Sequence, residues 1–263
     1  MQAFAYTRAA TLADAAARAT ADHAKLLAGG QSLLAAMKLG LAAPQAVIDL
    51  GALPELRGIR VADGAVRIGA MTPHAEVAAS AEVARAIPAL AALAGQIGDR
   101  QVRNRGTLGG SMANSDPAAC YPAAVLGLGA TVHTDRRSIG ADAFFRGLYE
   151  TALLPGEVIT AVSFPVPEKA AWQKFRQPAS RFSIVGVFVS RGPQGVRVAV
   201  TGAGPCVFRA NALESRLASS WSTTALAGAS VAADGLNSDL HGSAEYRAAL
   251  IPVLAQRAVA ACP

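Results

Sequence analysis

The chain is poor in charge, in aromatic residues and in cysteine. Charged residues make up 16% and aromatics 5% of its 263 positions, against 52% hydrophobic residues, many of them Ala. That balance excludes a disordered chain and favours helix wherever Ala dominates. It also leaves weakly charged surface for partners to cover. The cysteines Cys120, Cys206 and Cys262 are odd in number and far apart. They form no CxxC pair, so no zinc site or ferredoxin-type cluster is encoded, and no metal ligand is expected on this chain. Each cysteine reads as a small core residue. No apolar run approaches the roughly 20 residues that span a bilayer. The start, Met1-Gln2-Ala3-Phe4, lacks a charged segment followed by an apolar one. The expected location is cytoplasmic. The net charge is +6, but it is dispersed. Its densest stretch, Arg100, Arg103 and Arg105, reads as a solvated face, so no nucleic-acid partner is expected.

Common chemical signatures are missing too. There is no GxGxxG after a strand and no GxxxxGK[ST], which removes the Rossmann fingerprint and the P-loop. His23, His74, His133 and His241 are scattered, without HExxH spacing. Ser32 and Ser111 lack a GxSxG elbow. With no acid–base constellation, no catalytic residue is assigned.

What is present is a pair of Gly-Gly segments of like design. One is Ala28-Gly29-Gly30-Gln31-Ser32, directly after Leu26-Leu27; the other is Thr107-Leu108-Gly109-Gly110-Ser111. Adjacent glycines tolerate unusual backbone angles and leave no side chain in the way. Such loops let several backbone N–H groups converge on an anion. A pyrophosphate has two charged centres, and two loops from distant parts of the chain would hold it from both sides. A dinucleotide cofactor is the ligand this implies. Asp116 follows shortly, and its carboxylate suits either sugar or ribityl hydroxyls or the N-cap of a helix beginning at Pro117. Trp172, Lys174 and Arg176 alternate along an expected strand, so they share one face. That face would cover a flavin ring or its phosphates, or simply meet solvent.

Thr11 reads as the N-cap of an Ala-rich helix to about Thr20. A strand at Lys25–Leu27, the first glycine loop, a helix at Leu33–Leu39 and a strand at Ala46–Leu50 form a small α/β unit. Its glycines lie at a strand's C-terminal end, a usual place for ligands. Asp63-Gly64 signals a hairpin between Ile59–Ala62 and Ala65–Gly69. Thr72-Pro73 reads as a helix start, and Ile87–Gly95 as a helix. The second glycine loop sits in a stretch of little periodicity, Gly98–Pro117. A buried helix is expected at Ala118–Gly127, and strands at Ala130–Thr134 and Val158–Phe164. Pro165-Val166-Pro167-Glu168 is a domain boundary. Three strands follow, Trp172–Arg176, Ile184–Ser190 and Val196–Gly202, then helices at Asn211–Ala218 and Ser243 to about Ala260. The expected class is α+β.

Nearly end to end, the chain resembles the medium, FAD-binding subunits of bacterial molybdenum hydroxylases, the carbon monoxide dehydrogenase and xanthine dehydrogenase group. The resemblance is carried by residues 27–33, by Val47-Ile48-Asp49-Leu50, by residues 101–111, by Asn114-Ser115-Asp116-Pro117 and by the C-terminal His241-Gly242-Ser243-Ala244-Glu245-Tyr246-Arg247. It implies a two-lobed FAD-binding domain of the vanillyl-alcohol-oxidase type at 1–166, with lobes of about 1–55 and 56–166. A small C-terminal domain, a three-stranded sheet plus helices, would occupy 167–263. The implied FAD contacts are Ala28, Gly29, Gly30, Gln31, Ser32 and Leu33; Thr107, Leu108, Gly109, Gly110 and Ser111; Asn114, Asp116 and Ile159; and Trp172, Lys174 and Arg176. The implied partners are a small subunit with two [2Fe–2S] clusters and a large molybdenum–pterin subunit, with a dimer of heterotrimers as a further assembly. This chain would pass electrons to NAD⁺, oxygen or a quinone. A stand-alone flavin reductase of the same fold superfamily, or a scaffold that has lost FAD, remain the alternatives.

Overall fold

In the computed structural model, which describes residues 2–262, the first lobe grows from three short parallel strands. (Met1 and Pro263, the end points of the two expected domains, lie outside the described residues.) Strands β1 (Ala5–Arg8), β2 (Ala24–Leu27) and β3 (Ala46–Asp49) pair in the order β1-β3-β2. Helix α1 (Leu12–Arg18) connects β1 to β2, and α2 (Leu33–Lys38) connects β2 to β3. Thr11 caps α1, its Oγ1 accepting the Asp14 N–H at 3.1 Å. Tyr6 to Arg8 gave no apolar pattern, and β1 was not anticipated. It is largely exposed, and its backbone pairing to β3 rather than its side chains defines it.

The second lobe is an antiparallel sheet flanked by short helices. The hairpin β4 (Ile59–Ala62)–β5 (Ala65–Gly69) turns at Asp63 and Gly64, whose φ angles are +52° and +71°. Both central residues of a type I′ turn need positive φ, which is why Asp-Gly signals one. Helices α3 (His74–Ala79), α4 (Ala81–Ala86), α5 (Pro88–Gly95), α6 (Arg100–Arg105), α7 (Leu108–Asn114) and α8 (Tyr121–Gly127) follow. Then come β6 (Thr131–Thr134), β7 (Ser138–Gly140), α9 (Ala141–Phe144), the small pair β8 (Phe145–Gly147)–β9 (Glu150–Thr151), and β10 (Ile159–Pro165). The sheet order is β4-β5-β10-β6-β7.

Three expectations are corrected here. Thr72 does not cap α3. Its hydroxyl accepts the Gly58 N–H and donates to the Gly58 carbonyl, tying two turns together. The aperiodic stretch 98–117 holds two helices, too short for periodicity to emerge, started by side-chain caps from Asp99 and Thr107. The buried helix begins at Tyr121 rather than at Pro117.

Beyond residue 167 lies the second module, with strands β11 (Lys169–Arg176), β12 (Ser183–Gly192), β13 (Gly195–Thr201) and β14 (Phe208–Arg209), then α10 (Asn211–Ser219) and α11 (Ala244–Ala261). The sheet has four strands in sequence order, not three. The extra edge strand is two residues long, too short to leave a sequence pattern. The sheet is covered on both sides. Trp172, Phe188 and Ala199 face the second lobe's core, and Val187, Val189, Val198 and Val200 face α10 and α11. That explains why eight consecutive residues of β12 are buried. Each of those four valines is fully buried, worth about 1.5 kcal/mol or more apiece relative to exposure.

Candidate functional site

The two glycine segments, some eighty positions apart in sequence, touch in the fold. A Cβ on Gly29 would collide with the Arg105 carbonyl, and one on Gly110 would meet the Ala28 Cβ at 3.4 Å. Gly30 has φ +74°, a left-handed conformation that only glycine adopts without cost. This backbone path leaves the N–H groups of Gly29, Gly30, Gln31, Ser32 and Leu33 without acceptors among the described residues. Five successive free donors stand at the C-terminal end of β2, the kind of run that can hold an anion where the N–H groups converge. Ser32 is exposed beside them.

The second segment departs from the expected symmetry. It is the first turn of α7 rather than a loop, and its amides are already used. Leu108 donates to the Thr72 carbonyl at 3.1 Å, Gly109 to the Ala70 carbonyl at 2.8 Å, and Ser111 to the Thr107 carbonyl at 3.1 Å. Gly110 donates to Thr107 Oγ1 at 3.1 Å. A Cβ on Gly109 would stand 2.5 Å from the Ala70 Cβ. This glycine pair therefore lets α7 lie against β5 and the first loop. What the segment still offers are the half-buried side chains of Ser111 and Asn114, neither hydrogen-bonded among the described residues.

Asp116 lies just past α7, after Ser115 in a left-handed turn (φ +44°). Its Oδ1 accepts the Ala118 N–H at 2.8 Å. The carboxylate thus closes a local turn instead of capping α8, and Oδ2 has no partner among the described residues. Burial raises its pKa, only partly offset by the Ala118 hydrogen bond. A half-buried carboxylate with one free oxygen is suited to receive hydroxyl donors. Tyr149, an exposed residue with φ +55° at the β8–β9 turn, stands beside it, its N–H reaching the Ser115 carbonyl. Sequence reading missed Tyr149; no motif marks it. Ile159 opens β10 at a β-bulge. Its neighbour Thr160 accepts the Ala70 N–H at 2.9 Å, so this bulge, Ala70 and Gly109 form one connected stretch.

The expected face of Trp172, Lys174 and Arg176 is not a uniform surface. Trp172 is 5% exposed and packs over Gly186 and against Phe188 in the core between the modules. Its indole is already covered and presents no face to a ligand. Lys174 Nζ donates to the Gln96 carbonyl at 3.0 Å and contacts Cys120 Sγ at 3.2 Å. Arg176 is exposed. The strand ran from core to solvent, and alternation alone could not reveal that gradient. Arg103 holds the turn before α6, donating to the Ile97 and Gly98 carbonyls, while Arg105 is exposed. Among the described residues no three His, Cys, Asp or Glu side chains are grouped as a metal site. No helix there is long and apolar enough to cross a membrane.

An α+β fold with a run of free amides after β2 and, after α7, a carboxylate with one free oxygen has the donors and the acceptor that an anionic, hydroxyl-bearing ligand needs. Residues 2–167 match the family described as "FAD binding domain in molybdopterin dehydrogenase", and the chain belongs to that family, whose members are oxidoreductase components. It is 36% identical to the nicotine 6-hydroxylase medium subunit of Paenarthrobacter nicotinovorans, over 98% of this chain and 97% of that one. It is also 36% identical to the carbon monoxide dehydrogenase medium chain of Hydrogenophaga pseudoflava, over 90% and 88%. Among solved structures, reconstituted CO dehydrogenase from Oligotropha carboxidovorans superposes with a TM-score of 0.90 at 30% identity, covering 98% of this chain and 97% of that one. Quinoline 2-oxidoreductase from Pseudomonas putida 86 does so with 0.88 at 30%, covering 98% and 96%.

Proposed function

We propose that this chain is the FAD-carrying medium subunit of a heterotrimeric molybdenum hydroxylase. It takes electrons from [2Fe–2S] clusters on a small partner subunit and delivers them to an external acceptor, while substrate is hydroxylated on a large molybdenum–pterin subunit. The observation that carries this is the run of free amides at Gly29–Leu33, directly after Ala28, which packs on Gly110, in a chain similar over nearly its whole length to medium subunits.

Bound FAD supplies the redox centre; the protein supplies position and electrostatics. The Gly29–Leu33 amides hold the pyrophosphate. Gly109 and Gly110 keep α7 close enough for Ser111 and Asn114 to reach the same ligand. Asp116 Oδ2 would accept from a ribityl or ribose hydroxyl, and the backbone at Ile159 would supply a contact to the flavin. Lys174 braces the turn after α5, and Arg176 remains the cation free to meet a phosphate. Residues of about 1–55 and 56–166 form the two lobes of a vanillyl-alcohol-oxidase-type domain, and 167–263 the C-terminal domain. A dimer of heterotrimers is the assembly in this reading.

The test is stopped-flow reduction of the flavin by the organic substrate, with and without the partner subunits. Reduction only in the complex supports the subunit reading. Reduction of the lone chain at a catalytic rate overturns it in favour of a self-contained flavin enzyme.

A further inference from the structure

The C-terminal module grips the segment after Asp116 with two strand ends that one buried arginine ties together. Arg247, on the first turns of α11, is 3% exposed. Its guanidinium is saturated. Nη2 donates to both oxygens of Asp239 at 2.8 Å, Nη1 to the carbonyls of Ile184 (2.6 Å) and Gly202 (2.9 Å), and Nε to the Gly242 carbonyl at 3.3 Å. Ile184 and Gly202 sit where β12 begins and β13 ends. Gly202 has φ +84°, and a Cβ there would stand 2.6 Å from the Ser183 carbonyl, so the two strand ends are pinched together.

The same strand ends grip the segment after Asp116. The Gly202 N–H donates to the Pro117 carbonyl at 2.7 Å, and the Ser183 N–H to the Ala118 carbonyl at 3.3 Å. Thr201 Oγ1 lies 2.9 Å from the Pro117 carbonyl and 2.7 Å from the Ala119 carbonyl. Three consecutive carbonyls of this segment are thus held by the C-terminal module. The Ala118 N–H, fixed by that grip, is the donor that orients the Asp116 carboxylate.

We propose that Arg247, locked by Asp239, is a positioning residue that sets the Asp116 carboxylate for the cofactor. Arg247 then acts on the flavin site through Asp116, without itself touching the flavin. A planar fork is required, because five bonds leave one guanidinium in fixed directions; a lysine ammonium cannot replace them. The inference rests on Asp116 being a flavin contact, as proposed above.

The test is a double-mutant cycle on the full chain, read by FAD titration and by amide hydrogen exchange. Arg247→Lys and Asp116→Asn are each expected to weaken FAD binding by about tenfold, the effect of losing one charge-assisted hydrogen bond. Together they are expected to do little more than either alone. Exchange at Ala118 and Ala119 should rise in Arg247→Lys, with or without FAD, while residues 27–33 stay unchanged. Asp239→Asn should give a milder form of the same pattern. Fully additive losses, or unchanged exchange at 118–119, overturn the positioning role and leave the flavin reading intact. An Asp116→Asn variant with wild-type FAD affinity overturns the flavin contact itself, and with it the clamp's purpose.

Discussion

At the scale of single residues, burial and backbone geometry decide the outcomes. His74 is 5% exposed, packs on Tyr121 with ring centroids 5.3 Å apart, and leaves Nδ1 unpartnered. Burial, helped by the charge of Arg103, lowers its pKa from 6.5 to about 4. Between those values the unfolded chain binds a proton that the folded chain refuses. His74's contribution is therefore whole above pH 6.5 and is lost as pH falls toward 4, by roughly 3 kcal/mol at most. His133, also lowered by burial, adds to the same slope. Glu157 does not. Arg137 holds its pKa at about 2, so its contribution is present above 4.5 and fades only below that. Urea unfolding at pH 7 and pH 5 should show a smaller difference for His74→Gln than for wild type; an equal difference removes His74 as the source. In the first glycine segment, Gly30→Ala faces a left-handed backbone penalty of about 1–2 kcal/mol. Gly29→Ala must displace the Arg105 carbonyl. Both should lower flavin content sharply, and Gly30→Val or Gly110→Val more so. Full flavin absorbance in all of these variants would show that the pyrophosphate lies elsewhere.

At the scale of elements, α7 and β11 carry the testable distinctions. Thr107 caps α7 through the Gly110 N–H. Thr107→Val should cost about 1 kcal/mol in chemical denaturation, the usual worth of an N-cap, and should also loosen FAD binding because Gly110 moves with that turn. Trp172 carries the opposite expectation. Its Nε1 has no partner among the described residues, so Trp172→Phe removes volume but breaks no hydrogen bond. Stability should fall by about 1 kcal/mol or somewhat more, with FAD affinity and the flavin spectrum unchanged. A marked loss of flavin with little loss of stability would return Trp172 to the binding site.

For the whole molecule, the expected division of labour sets the measurements. The purified chain should carry one FAD, with iron and zinc near zero by metal analysis, since Cys120, Cys206 and Cys262 are dispersed and unpaired. Stoichiometric iron with acid-labile sulfide would contradict that. Mixed with its partners, the chain should become the route by which electrons leave the complex. Substituting Arg105, exposed beside the contact with Gly29, should slow that transfer or weaken assembly more than it lowers flavin content.

Local chemistry made much of this legible in the sequence. Asp63-Gly64 specified its hairpin, Thr11 its cap, and the valine-rich runs their strands, because each needs only neighbours within a few residues. The two glycine pairs were visible for the same reason. What each glycine is for was not. Gly29 clears the Arg105 backbone and Gly109 clears Ala70, contacts made by residues distant in sequence. Which amides stay free for a ligand depends on acceptors such as Thr72 and Ala70 that only folding brings up. The same holds for Trp172, whose face is covered by the core of the second lobe, and for Asp116, whose neighbouring carbonyls are held by strand ends more than sixty residues downstream. Turns, caps and glycine positions were a property of the chain. Free donors, covered faces and the reach of Arg247 were decided by tertiary contact, since hydrogen-bond availability and burial are properties of what lies across the gap rather than along the chain.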